Sequence, residues 1–296
     1  MSAIYSILTL ACLMALSACS PQPANKVLTI GFNPAESADV VEANATVLSK
    51  ILKEKAGVEL KTFVASDFGA LIEAMRAGRV DIGFLPPFSY VLAEKVANAK
   101  VLLKAVRNGH AHFYGAIITA KDYKKLEDLK GKTIAWTDPS SSSGHIVPKY
   151  ELLERGIDPD KFFSKQVFAG GHDALVLAVA NKTVDAGATF VNDPSGKDSA
   201  WQLFLKDPAQ VAQIRMLMIT KPIPGDTMCT TQKFYAANTK LVDKITKIML
   251  DLGKTPEGSK VLRELYRIDS MVVAKPEDYD SLRAAARRLG IGEIQN

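Results

Sequence analysis

Cysteine is nearly absent from the body of this 296-residue chain. Of its three cysteines, Cys12 and Cys19 fall within the first twenty residues and only Cys229 lies beyond them. No internal disulfide can therefore staple the folded part. With no Cys/His signature around it, the Cys229 thiol reads as an inert packed residue, and a thiol ligand for a metalloid is held in reserve. The four histidines, His110, His112, His145 and His172, lack Cys or Glu partners at ligand spacing, so the chain carries no metal signature and implies no cofactor. It has no Gly-x-Ser-x-Gly elbow of the kind that presents a hydrolase nucleophile. Nor is there an Arg/aromatic stripe or nucleic-acid motif, and the net charge of +5 is spread over helices where Lys alternates with Glu and Asp. Nucleic acid is set aside as a partner, and the modest positive charge weakly favours an anionic one.

Charge is missing altogether from the first 25 residues, and Ile4 to Leu16 is almost continuously apolar. That run is short for a bilayer span and fits the core of a signal peptide, residues 1–18. Leu16-Ser17-Ala18-Cys19 resembles a bacterial lipobox, which implies cleavage before Cys19 and a diacylglyceryl anchor on its sulfur. Residues 19–26, with two prolines, then read as a lipidated tether.

The remainder is 47% apolar and 23% charged over the whole chain, a globular composition long enough for two lobes. Short strands alternate with helices: a strand at Val27–Gly31, a helix from about Ala38 to Lys55, a strand at Leu60–Val64, a helix at Phe68–Ala77 capped by Asp67, and a strand at Val80–Phe84. This alternation defines an α/β protein with mostly parallel sheets. Ala70-Leu71-Ile72-Glu73-Ala74 followed by Val80-Asp81-Ile82-Gly83 matches Ala174-Leu175-Val176-Leu177-Ala178 followed by Val184-Asp185-Ala186-Gly187, at an offset of 104 residues (174 − 70). The same offset lays Thr29-Ile30 on Thr133-Ile134 and Phe32 on Trp136. Two similar lobes follow. The offset also pairs Phe68 with His172 at helix starts and Ser89 with Asp193 past strand ends, where open sheets bind ligands.

Between the strand Thr133–Trp136 and a helix closed by Gly156 lies Asp138-Pro139-Ser140-Ser141-Ser142-Ser143-Gly144-His145. A junction rich in hydroxyls, with free N–H groups and the positive end of a helix, suits an anion. Pro148 either kinks this helix one turn in or marks its true first turn. These motifs, with Gly156-Ile157-Asp158-Pro159, Gly170-Gly171-His172-Asp173-Ala174, Pro86-Pro87-Phe88-Ser89-Tyr90 and Lys254-Thr255-Pro256-Glu257-Gly258, resemble the phosphonate/phosphite/phosphate-binding subunits of ABC importers across almost the whole mature chain.

The resemblance implies a type II periplasmic-binding-protein fold: two similar lobes with central mixed, mostly parallel sheets joined by a crossed hinge. Lobe 1 is expected over 27–115 and lobe 2 over 116–218, with residues 219–296 returning to lobe 1 as C-terminal helices. It also implies a monomeric, non-catalytic receptor at the periplasmic or outer face of the membrane that hands a phosphorus oxyanion to permease subunits. The oxyanion would be held by Ser141, Ser142, Ser143, His172, Asp193 and Asp226. Phe68 stands where the family often has Tyr, and a second family Tyr falls at Tyr114 or, one residue over, at Phe113. Ser89 completes the candidate set.

Independently of the family, a tetrahedral oxyanion needs many donors, and an aspartate beside it makes sense as acceptor for a P–OH or a ligand ammonium. Asp193 or Asp226 would then select phosphorus oxyanions over sulfate. Two rival readings remain. One is a sensor of phosphate-like anions, arsenic oxyanions included; the other is a hydrolase using Ser143, His172 and Asp193.

Overall fold

The computed structural model describes residues 26–33 and 38–291, so the expected signal peptide, Cys19 and nearly all of the tether lie outside the described residues. The chain lays down β1 (Lys26–Phe32), β2 (Val58–Val64), β3 (Ile82–Leu85) and β4 (Ala99–Val106), then crosses to a second sheet. There it forms β5 (His112–Thr119), β6 (Thr133–Trp136), β7 (Lys165–Phe168), β8 (Ala186–Val191), β9 (Arg215–Ile219) and β10 (Ile223–Pro224). It returns with β11 (Thr227–Thr231) and β12 (Ser270–Val273). The first sheet runs β12-β4-β11-β3-β1-β2; the second runs β10-β5-β8-β6-β7, with β9 also on β5.

Both sheets are mixed. Among the described residues, β1 pairs in parallel with β2 and β3, and β6 with β7 and β8. The remaining pairs are antiparallel. They arise where a crossing strand enters: β11 comes back between β3 and β4, and β5 arrives alongside β8. Strand-helix alternation can encode only the parallel part, because a βαβ crossover returns the chain in the same direction.

The offset of 104 residues is carried down to single hydrogen bonds. Asp81 accepts from the Thr29 N–H at 2.8 Å and Asp185 from the Thr133 N–H at 2.9 Å. Thr29 faces Lys61 across β1 and β2, as Thr133 faces Lys165 across β6 and β7. Ala65 N–H bonds the Phe32 carbonyl, and Ala169 N–H the Trp136 carbonyl. Helices Phe68–Arg76 and His172–Ala180 lie over equivalent glycines, so that a Cβ at Gly83 would meet Met75 Sδ at 2.5 Å and one at Gly187 would meet Val179 at 2.8 Å.

Each sheet is covered on both faces. Leu28, Ile30, Phe84, Val242 and Ile245 belong to one apolar cluster of the first sheet and Leu71, Met75, Leu85 and Cys229 to the other. Leu175, Val179 and Trp201 lie on one face of the second sheet and Ile134, Trp136 and Leu152 on the other. The C-terminal helix Gln232–Leu252 packs on β4, β11 and β12 of the first sheet, and Pro256–Tyr266 packs on that helix and on Ala38–Ala56.

The crossing points differ from 115/116 and 218/219. β5 begins at His112 and β10 pairs with it at Ile223↔Phe113. The connections are therefore 107–111 outward and 225–226 back, and Arg215–Ile219 is a strand of the second sheet. The reason is geometric: one long strand, β5, accepts partners along both of its edges and keeps the chain in lobe 2 longer than a two-block division implies. On return, Gly225 passes so close to β4 that a Cβ there would meet the Ala105 carbonyl oxygen at 2.2 Å. A side chain has no room at this point of the hinge.

Candidate ligand-binding cleft

The serine stretch forms one wide turn followed by a regular helix. Ser142–Ile146 is a π turn, with the Ile146 N–H reaching the Ser141 carbonyl at 3.0 Å, and Val147–Glu154 continues as α-helix. Pro148 thus lies in the first regular turn. The carbonyl its missing N–H would have bonded, that of Gly144, accepts instead from Thr137 N–H at 3.0 Å. Ser141 Oγ caps the turn by accepting from Gly144 N–H at 3.1 Å, and Asp138 Oδ1 ties the entry loop through Ser140 N–H at 2.7 Å. Burial raises the Asp138 carboxyl above its ordinary range. His145 Nδ1 donates to the Pro139 carbonyl at 2.9 Å, and burial pulls its pKa down to about 4.

The three serines have separate roles. Ser141 is the cap. Ser142 Oγ accepts the Phe88 N–H of lobe 1 at 2.8 Å, which leaves its proton to be donated elsewhere. Ser143 Oγ has no hydrogen-bond partner among the described residues and lines a cleft of about 520 Å³. His172, first residue of its helix, lines the same cleft. Its Nδ1 sits 2.8 Å from Thr189 Oγ1 and 3.2 Å from Thr137 Oγ1. Thr137 Oγ1 already donates to the Ala188 carbonyl at 3.0 Å. Thr189 is fully buried and its hydroxyl has no other partner among the described residues, so its proton is accommodated on Nδ1, and Nε2 carries the imidazole proton. Desolvation holds the His172 pKa at about 4; near neutral pH it is an uncharged N–H donor.

Phe68 is buried at the start of its helix and lines the cleft. The fork at the second aromatic position resolves to Phe113, which lines the cleft. Tyr114, on the opposite face of β5, places its hydroxyl 3.2 Å from His112 Nε2. Ser89 is also not a lining residue: its Oγ donates across the lobes to the Ser140 carbonyl at 3.2 Å. Asp193 is absent from the cleft wall as well. Its carboxylate accepts from the Ser195 hydroxyl and from the Ser195 and Asp198 N–H groups of its own loop, which hold its pKa down. The loop after β8 curls back before the next helix, and only that curl decides which carboxylate faces inward. Asp226 does line the cleft, ion-paired to Arg107 at 2.7 Å.

Several cleft residues escape the sequence reading. Asp198 lines the wall held by the amides of Asn108 at 2.6 Å and Asn192 at 3.0 Å, with no cationic partner among the described residues. Phe190, Phe204, Leu203 and Arg107 also face the space. The one available signal was the loop's own composition, Asn192-Asp193 followed by Lys197-Asp198-Ser199, in which two aspartates compete for one role.

The same geometry sets aside two roles. Ser143, His172 and Asp193 do not form a triad, since Nδ1 of His172 faces threonines and Asp193 belongs to its loop. Cys229 is fully buried, its Sγ 3.5 Å from the Gly83 carbonyl, and burial pushes its pKa up to about 12. It is a packed thiol remote from the cleft wall, not a metalloid ligand there.

Two facing α/β lobes, crossed by two strand connections and enclosing a cleft with hydroxyl and imidazole donors at one pole, define a two-lobed solute-binding protein. The family of periplasmic substrate-binding proteins of phosphonate ABC transporters matches residues 30–279, and the chain belongs to it. Its members are substrate-binding transport proteins that act outside the cytoplasm and work with permease subunits. The chain is 30% identical over 271 residues to the phosphonates-binding periplasmic protein of Escherichia coli, covering 89% of this chain and 76% of that one. It is 34% identical over 210 residues to the phosphate-import protein PhnD of Mycolicibacterium smegmatis, covering 63% and 65%. Among solved structures, a binding-protein component of an ABC phosphonate transporter from Pseudomonas aeruginosa superposes with a TM-score of 0.77 at 24% identity, over 92% of this chain and 90% of that one. PhnD1 of Prochlorococcus marinus, in complex with methylphosphonate, does so with 0.75 at 22%, over 90% and 98%.

Proposed function

We propose that this protein captures a phosphorus oxyanion between its lobes and presents it to an ABC permease, as a monomer anchored through a lipid on Cys19. The observation that carries the reading is the pole of the cleft. Ser143 Oγ without a protein partner among the described residues, Ser142 and His172 line one cleft, beside the start of a helical segment whose first N–H groups have no intrahelical acceptor. The donors are neutral, so they suit an anion without fixing its charge. Discrimination against sulfate falls to Asp198, the cleft carboxylate held only by amides, which can accept the P–OH that phosphorus oxyanions retain near neutral pH. This replaces the role expected of Asp193, while Asp226 serves its ion pair with Arg107.

The test is isothermal titration of the full-length protein with phosphate, phosphite, methylphosphonate and sulfate. At least one phosphorus oxyanion is expected to bind and sulfate is not. Ser143→Ala should weaken binding about tenfold or more, the size of one lost hydrogen bond to a charged group. Sulfate binding as well as every phosphorus ligand would remove the reading.

A further inference from the structure

Beyond the anion pole the cleft wall is divided: Arg107, Asp198 and Asp226 line part of it, and an apolar strip lines another. Leading away from the His172 ring, Phe190 stands edge-on with centroids 5.0 Å apart, and Phe204 stands edge-on to Phe190 at 6.4 Å. Leu203, beside Phe204 on the helix Ala200–Phe204, continues the strip into the cleft with 36% of its surface exposed. That helix is fixed from behind by buried Trp201 and capped by Ser199, so its exposed apolar side chains are held in place. The opposing wall, from lobe 1, is Phe32 and Phe68.

The lobes are already bridged by Phe88 N–H to Ser142 Oγ and by Ser89 Oγ to the Ser140 carbonyl, and the connecting residue Asn108 holds Asp198 through Nδ2 to Oδ2. The space of about 520 Å³ is thus the volume of a cleft with cross-lobe contacts in place, and it falls in the range of sites for organic ligands of many heavy atoms. A bare tetrahedral anion satisfied at Ser143 and His172 would leave the strip facing water.

Resting on the reading of the cleft as a phosphorus-oxyanion site, we infer that its ligand is an organophosphorus anion carrying an aromatic substituent, seated edge-on against Phe190 and Phe204. Aromatic pairs gain from offset and edge-to-face contact beyond the area they bury, and the two rings are already set at 81° to one another.

Isothermal titration of the full-length protein with phenylphosphonate, methylphosphonate and inorganic phosphate tests this. Phenylphosphonate should bind about tenfold tighter than methylphosphonate or more, and Leu203→Gln and Phe204→Ala should each cut that ratio at least threefold. Leu203→Gln alters an exposed residue, which guards against loss of folding in the Phe204 variant. Methylphosphonate or phosphate binding as tightly as phenylphosphonate, or a ratio unmoved in both variants, would overturn the inference and leave the phosphorus-oxyanion reading standing. Binding of none of the three would overturn both.

Discussion

The two lobes are built on one plan yet line the cleft with different side chains at equivalent positions. At the N-cap of the lobe 1 helix Phe68–Arg76 stands Asp67, whose carboxylate accepts from Ala70 N–H at 2.7 Å. The position 104 residues on is Gly171, which gives the lobe 2 helix no side-chain cap. The next residue is Phe68 in lobe 1 and His172 in lobe 2. In lobe 1 the helix end is neutralised from within and covered by a ring. In lobe 2 it is left open, with an imidazole donor beside it. After the first strand of the repeat, lobe 2 turns through the serines. The comparison teaches that a duplicated scaffold need not line a cleft evenly: lobe 2 brings the hydroxyls of Ser142 and Ser143 and the imidazole of His172, and lobe 1 brings the rings of Phe32 and Phe68.

Transplanting the lobe 1 cap into lobe 2 should break this asymmetry. Gly171→Asp places a carboxylate where the ligand's charge is expected, on a backbone that is extended there (φ −157°). Affinity for the phosphorus ligand should fall about a hundredfold, or about 2.7 kcal/mol. The helix itself should be no less stable, since an aspartate cap is favourable. Calorimetric titration beside thermal melting separates the two effects, and unchanged affinity would show that the open helix end is not part of the site.

A second difference concerns acid. Both histidines with strongly depressed pKa values, His145 and His172, are in lobe 2. The unfolded chain takes up these protons near pH 6.5, while the folded protein resists them until about pH 4. Stability should therefore fall as pH drops through that window and stop changing on their account below it. For buried His145 the loss is roughly 2 kcal/mol. Urea titrations at pH 7 and pH 4.5 measure it, and His145→Gln should remove its share of the difference and leave that of His172. An unaltered slope in that variant would place the acid sensitivity elsewhere.

The smallest effect tests the sameness of the lobes. Asp81→Ala and Asp185→Ala each remove the carboxylate that clasps the first strand of its lobe, at a cost of about 1–2 kcal/mol. Asp185 also accepts from Lys121 Nζ at 2.7 Å and from the Tyr123 hydroxyl at 2.9 Å, so if the clasp is one device used twice, both variants should lose stability in urea and Asp185→Ala should lose at least as much as Asp81→Ala. A neutral result at either site would mean the repeat persists in shape without persisting in energetics.

These equivalences are legible in the sequence, because strand starts such as Val-Asp and the apolar helix faces recur locally. What was not readable depends on distant or folded-back chain. β11 enters between β3 and β4 from more than a hundred residues away, and no local pattern announces it. Asp193 stands just past a strand end, as the offset requires, but its loop turns it onto its own N–H groups and presents Asp198 instead. Phe113 and Tyr114 differ by one position in a strand of period two, so parity alone decided which ring faces the cleft.

The contact between Phe88 N–H and Ser142 Oγ has one more consequence. A hydroxyl is a rotor, and one whose lone pair is engaged by a donor from the other lobe can no longer point its hydrogen in that direction. Separating the lobes frees the rotor; bringing them together sets it. Closure of this protein therefore does more than shut out water. It aims a proton, so the movement of the hinge and the polarity of the binding pole change as one event.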